Sequence, residues 1–198
     1  MDGMSTDDTR CIVVNYSNEY PFIKLFDNPK RIVPCAMNIG IKASKGDIII
    51  RLDAHASYPT NYFSALIGRI VELDADNVGV VCKTLAIREV LSNKFGVGNS
   101  VFRTGVDKVM KVDTVPFGCY RRDTFERFGM YDERLIRNQD FELNYRIRKG
   151  NGRIFIVPDS YCTYFALRHL KSCGFKIIRM VCGEFVQFCL RGIVIHWR

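Results

Sequence analysis

The sequence predicts one α/β domain, a mixed and mainly parallel sheet covered by helices. Three observations carry this expectation. Short apolar runs alternate with amphipathic stretches, the rhythm of strands joined by helices. One run, Asp47-Ile-Ile-Ile-Arg-Leu-Asp53, is nearly continuous and β-branched, as a buried strand requires. The 198 residues suffice for one complete core, and two domains are not expected.

Taken in order, Ser5 or Thr6 is placed to cap a helix whose first turn holds Asp7 and Asp8. Ile12, Tyr16 and Tyr20 then recur at helical spacing until Pro21 ends it. Phe22 to Phe26 reads as a strand, followed by the turn Asp27-Asn28-Pro29. Pro34 to Ser44 reads as a helix closed by Gly46, and it leads into the strand ending at Asp53. A helix from about Pro59 to Leu73 and a strand from Val78 to Cys82 follow. Glycines 96, 98 and 105 suggest loops between Lys83 and Val112. Arg121 to Phe128 and Asn138 to Lys149 are helical, and Arg153 to Val157 is a strand stopped by Pro158.

Composition narrows the function. No apolar run reaches the ~18 residues of a membrane span, and the N-terminus lacks the pattern of a signal peptide. The expected location is therefore the cytoplasm. Eight cysteines include no Cys-x-x-Cys pair and sit mostly among apolar neighbours, so they read as reduced structural thiols. A net charge of +8 attracts polyanions: nucleic acid, anionic lipid or nucleotide phosphates. The lysines and arginines are spread along the chain without a basic, aromatic stripe, which counts against a nucleic-acid-binding module.

Three constellations could carry chemistry. Asp53 ends a strand, where ligands of open α/β sheets collect, and His55 follows two residues on. A carboxylate and an imidazole so placed can share one divalent cation on a diphosphate; the plainer alternative is a turn or cap residue. Asp140 falls near the start of a helix, whose dipole favours the ionised carboxylate a general base needs. It could equally be a capping acid. On that helix Asp140 and Asn144 share one face, while Glu142 and Arg146 can pair on another. Asp2-Gly-Met-Ser-Thr-Asp7, alone, is a helix N-cap.

Together these segments resemble the family 2 glycosyltransferases, in that family's order. The matching pieces are Asp2 to Asp7, Asn38-Ile-Gly40-Ile-Lys-Ala-Ser44-Lys-Gly46-Asp47 and Asp53-Ala-His55. Val115-Pro-Phe-Gly118-Cys-Tyr-Arg121-Arg122, Gly129-Met-Tyr-Asp132-Glu133 and Asn138-Gln-Asp140-Phe-Glu142-Leu complete the set. Ser44 stands where the family has alanine. Arg51-Leu-Asp-Ala-His-Ala56 with Tyr58-Pro59, Phe95-Gly-Val-Gly98 and Arg137-Asn-Gln-Asp140 are similar to the succinoglycan-type glucosyltransferases of bacterial exopolysaccharide synthesis.

The resemblance implies a GT-A, Rossmann-like nucleotide-sugar fold over residues 1–165 and an inverting transfer from a UDP-sugar. Asp140 would be the catalytic base. Asp2 and Asp53 would bind the nucleotide sugar, and Asp53 with His55 would hold Mn²⁺ or Mg²⁺. Gly118 and Arg146 would lie on the acceptor side. The implied acceptor is a saccharide or a lipid-linked oligosaccharide, which leaves open a peripheral contact with the inner face of the plasma membrane.

Two departures from the family are expected to matter. The family's first strand, with its Asn-Glu loop, is not found before Asp2, which predicts an open sheet edge. Residues 166–198 also differ from the family's basic, aromatic segment. Codons for Ala166 to Gly183 can be chosen so that a one-nucleotide shift restores a family-like segment, so the tail reads as frameshifted or divergent. An inactive remnant that keeps the fold is the alternative to an enzyme.

Overall fold

The computed structural model describes residues 1–84 and 105–164, together with the backbone of a strand at 193–196. The elements are α1 (Thr9–Glu19), α2 (Val33–Ala43), β1 (Ile48–Asp53), β2 (Ala56–Ser57), α3 (Tyr62–Glu72) and β3 (Asn77–Thr84). They continue as β4 (Met110–Lys111), β5 (Cys119–Arg121), α4 (Arg122–Phe128), α5 (Gln139–Lys149), β6 (Ile154–Tyr164) and β7 (Ile193–His196). One sheet runs β2-β6-β3-β5-β1-β7, with β4 joined to β6. It is mixed, as expected. The long β3–β6 ladder and the β1–β7 pair are parallel, while short β2, β4 and β5 pair antiparallel.

Strand alternation divides the core into two layers. Ile49 of β1 packs with Met37 and Ile41 of α2, Leu143 and Ile147 of α5, and Ile154 and Ile156 of β6. Ile50 and Leu52 face the other way, against Tyr62, Leu66 and Ile70 of α3. Those three α3 residues recur every fourth position and are fully buried, so the helix lays one apolar stripe on the sheet. On β1, Arg51 and Asp53 fall on the side of Ile49, toward α5.

Helices α2 to α5 and strands β1 and β3 follow the sequence reading within a few residues, with Pro34 in the first turn of α2, where its missing N–H is not needed. The sequence does not predict the short strands β2, β4 and β5, and Arg121, read as helical, ends β5. Three expectations do not hold. First, α1 starts at Thr9 with Asp8 as its cap, because the Ser5 amide and hydroxyl both donate to Asp2 and Ser5 is therefore not available as cap. Second, Phe22 to Phe26 forms no strand. It runs beside Asp2, where Asp2 N donates to Phe26 O and Asn28 N to Asp2 O, making one parallel bridge. Third, Pro158 does not end β6. Val157 faces Val80, and the next partners are Tyr161 and Val81, so Pro158 lies in a bulge that demands no N–H from it.

The sheet edge beside β1, expected to be open, carries β7, with Ile50 opposite Ile193 and Asp53 opposite His196. The Phe95–Gly98 segment lies outside the described residues, as does the tail expected to be frameshifted or divergent (166–198), apart from its strand β7. Cys11, Cys35, Cys82, Cys119 and Cys162 are unbridged thiols, as expected. Cys173, Cys182 and Cys189 lie outside the described residues.

Candidate active site

Asp53 is fixed at the end of β1 by its own backbone. Its N–H donates to the Tyr58 hydroxyl at 2.8 Å, and that hydroxyl lies 3.3 Å from the Asp53 carbonyl. Chain reversal through residues 54 and 55 brings His55 back beside it. His55 Nε2 lies 3.9 Å from Asp53 Oδ2, and both residues are buried. The His55 ring stands edge-on to Tyr164 of β6, 4.5 Å between centroids.

Asp140 reaches the same place from α5. The cap of that helix is Asn138, at φ 60°, a left-handed conformation that asparagine tolerates better than most residues. Asp140 Oδ1 accepts from Arg51 Nη1 at 2.5 Å, and Arg51 Nε and Nη2 point to Asp53 at 3.0 and 3.3 Å. Strand β1 and helix α5 thus meet through one buried guanidinium. Burial holds the Asp140 carboxyl above its usual pKa; Arg51 opposes this and the charge of Asp53 adds to it. A carboxylate with a raised pKa is a stronger base.

The residues fit a divalent ion shared with a phosphate ligand rather than a complete protein cage. Two donors each about 2.1 Å from one ion can stand up to about 4.2 Å apart, so 3.9 Å is within reach. Among the described residues no group of three or more His, Cys, Asp or Glu side chains could hold a metal. Remaining coordination would come from diphosphate oxygens and water, as is usual for Mg²⁺.

Of the other expected site residues, Gly118 borders this cluster, while Asp2 and Arg146 make separate contacts. Asp2 is buried at the Asp2–Asp27 bridge, with Arg10 Nη1 at 2.5 Å from Oδ2. Burial would raise its carboxyl, but hydrogen bonds from Ser5 and Arg10 outweigh that and hold it below its usual value. Gly118 lies against the site, its carbonyl accepting from Arg51 N at 3.1 Å. Its lack of a side chain has a packing reason, since a Cβ there would stand 2.3 Å from Asn77 Oδ1. Arg146 pairs with Glu142 at 2.6 Å and donates to the carbonyls of Phe128 and Met130. It ties α5 to the preceding loop, and no hydrogen bond joins it to Asp140 among the described residues.

Sequence reading assigned no role to Arg51, Tyr58 or Phe117. Arg51 did carry a signal: it is a lone cation inside an apolar strand, two residues before Asp53 and therefore on its face. Phe117 carried none. Its backbone is left-handed at φ 49°, unusual for a bulky residue, and its ring centroid lies 5.6 Å from the Arg51 guanidinium.

Comparison with known proteins identifies the family. Residues 1–104 match the model of glycosyl transferase family 2. The chain is 33% identical over 173 residues to the succinoglycan biosynthesis protein ExoA of Rhizobium meliloti (strain 1021), covering 83% of this chain and 52% of that protein. It is 26% identical over 191 residues to a Methanococcus voltae enzyme, dolichyl N-acetyl-alpha-D-glucosaminyl phosphate 3-beta-D-2,3-diacetamido-2,3-dideoxy-beta-D-glucuronosyltransferase, covering 86% and 57%. The chain thus spans about half the length of these curated relatives.

Among solved structures, S. aureus TarS 1–349 in complex with UDP-GlcNAc superposes with a TM-score of 0.61 at 18% identity, covering 96% of this chain and 57% of that one. GalNAc-T7 with UDP, GalNAc and Mn²⁺ gives 0.65 at 18% identity, covering 91% and 40%. At such identities these neighbours speak for the fold alone, which is GT-A. A family match over more than half of the 198 residues, on a GT-A fold, places the chain in glycosyl transferase family 2.

Proposed function

We propose that this chain carries the catalytic core of an inverting glycosyltransferase that moves a sugar from a UDP-sugar to a saccharide or lipid-linked acceptor in glycan synthesis. The observation that carries the reading is the meeting of Asp53 with Asp140 across Arg51. Asp140 takes the proton of the acceptor hydroxyl as its oxygen attacks the anomeric carbon. The bond from that carbon to the diphosphate breaks on the opposite face, the electron pair leaves with UDP, and the configuration inverts. One catalytic carboxylate is enough, unlike the pair a glycosidase needs.

Asp53 and His55 would hold Mn²⁺ or Mg²⁺, which when bound supplies positive charge to the departing diphosphate. The GalNAc-T7 structure holds Mn²⁺, which supports a divalent ion in this fold. Asp2 is assigned to the uracil, on the family resemblance and on its burial at the turn before α1. Its carboxylate is engaged by Ser5 and Arg10, so base contact would come from an oxygen that also accepts these bonds.

The acceptor side is assigned to Gly118 and Arg146 on the family resemblance, and the outer face of α5 to membrane contact. Phe141 and Tyr145 are 58% and 49% exposed there, Ile136 is 67% exposed just before the helix, and Arg137 and Lys149 are exposed on the same segment. Exposed aromatics with cations suit a bilayer interface, which supports a lipid-linked acceptor and peripheral contact with an anionic membrane face. Among the described residues no helix is long and apolar enough to cross a membrane.

The test is calorimetric titration with UDP, with and without Mn²⁺. Manganese-dependent binding that Asp53→Ala removes is expected; binding indifferent to both would count against the reading.

A further inference from the structure

Arg51 is buried at the junction of β1 and α5, and neutralising it does not explain its surroundings. Burying a guanidinium costs several kcal/mol, and one carboxylate would balance its charge. Here there are two. The Nε and Nη2 edge faces both oxygens of Asp53 at 3.0 and 3.3 Å, and Nη1 faces Asp140 at 2.5 Å. The two carboxylates come from elements far apart in sequence, and one rigid planar group spans both. The Phe117 ring beneath it limits its tilt, at a backbone position that is itself strained.

We propose that Arg51 is a positioning residue: its guanidinium fixes the spacing and plane of Asp53 and Asp140, aiming the base at the acceptor hydroxyl that attacks the carbon Asp53 helps present. This rests on the reading of Asp53 and Asp140 given above. Only the arginine fork meets the geometry. A lysine supplies the same charge from one point and cannot hold two carboxylates in a plane.

The experiment compares the full chain with Arg51→Lys, Arg51→Met and Asp140→Asn. Manganese binding is followed by electron paramagnetic resonance, UDP binding by calorimetry, and UDP release from UDP-glucose by steady-state kinetics. Arg51→Lys is expected to melt cooperatively and to keep the UDP affinity and KM of the parent, while kcat falls by about 100-fold, the cost of a misplacement near 1 Å. Arg51→Met leaves two carboxylates without their shared cation and is expected to bind Mn²⁺ alone more tightly than the parent. A purely structural arginine predicts the opposite, weaker Mn²⁺ binding in step with lost stability, and that result overturns the proposal. So does Arg51→Lys with the parent's kcat. If Arg51→Met does not fold, Arg51→Lys still decides. If the parent binds no UDP with Mn²⁺, or Asp140→Asn keeps the parent's rate, the underlying reading has failed. A normal Arg51→Lys beside an inactive Asp140→Asn sinks the positioning role alone.

Discussion

Asn77 of β3 and Asn144 of α5 are joined inside the core, Asn77 Nδ2 donating to Asn144 Oδ1 at 2.8 Å. Asn144 Nδ2 in turn donates to Thr114 Oγ1 and to the Val115 carbonyl. Both asparagines are fully buried. Asn144 stands one turn after Asp140, so this network anchors the helix that carries the base. Replacing Asn144 with leucine strands several buried polar groups and is expected to cost about 2–3 kcal/mol, read from urea unfolding. Unchanged stability would mean the network does not hold α5 to the sheet.

Gly118 packs where no side chain fits, with Asn77 Oδ1 at 2.3 Å and the Tyr120 ring at 2.6 Å from a Cβ placed there. Gly118→Ala is expected to destabilise by about 1–3 kcal/mol. Adding Asn77→Ala opens space and should recover part of that loss in a double-mutant cycle. Strict additivity of the two costs would show that the clash is not with Asn77.

Much of this architecture was legible in the sequence because its periods are strong. The run from Ile48 to Asp53 announces itself as a continuous β-branched stretch, and the helices carrying Tyr62, Leu66 and Ile70 and carrying Asp140 by their helical spacing. The rest depends on long-range partners. Ser5 could cap α1, but Asp2 claims it; Phe22 to Phe26 has strand residues, but among the described residues its neighbour is a single bridge at Asp2. Pro158 punctuates a strand locally, yet the β3 ladder carries β6 past it through a bulge. Asp53 and Asp140 could be named as candidates from motifs, while their junction through Arg51 appears only once α5 is laid on β1.

Glu133 gives acid stability a defined window. Hydrogen bonds from Lys30, Asn38 and Cys35 lower its carboxyl from the ordinary 4.5 to about 2. A carboxylate depressed in the folded state stabilises above its unfolded pKa and loses that contribution as pH falls. Stability should therefore decline between pH 4.5 and about 2. Glu133→Gln should flatten that part of the curve, measured by melting temperature against pH. A Glu133→Gln curve parallel to the parent's throughout would refute this.

The exposed face of α5 makes a separate prediction. The chain should co-sediment with vesicles of phosphatidylcholine and phosphatidylglycerol more than with phosphatidylcholine alone, and less so as salt rises. Phe141→Ser with Tyr145→Ser should weaken this while leaving UDP affinity intact. Equal sedimentation of parent and variant would remove α5 as the contact face.

The proposal that Asp140 is the base is tested most directly by UDP release from UDP-glucose with Mn²⁺, comparing the parent with Asp140→Asn. Asparagine keeps the shape but cannot accept the proton, so UDP should still bind while the rate falls by about 10²–10⁴-fold. An Asp140→Asn chain that releases UDP at the parent's rate would contradict it.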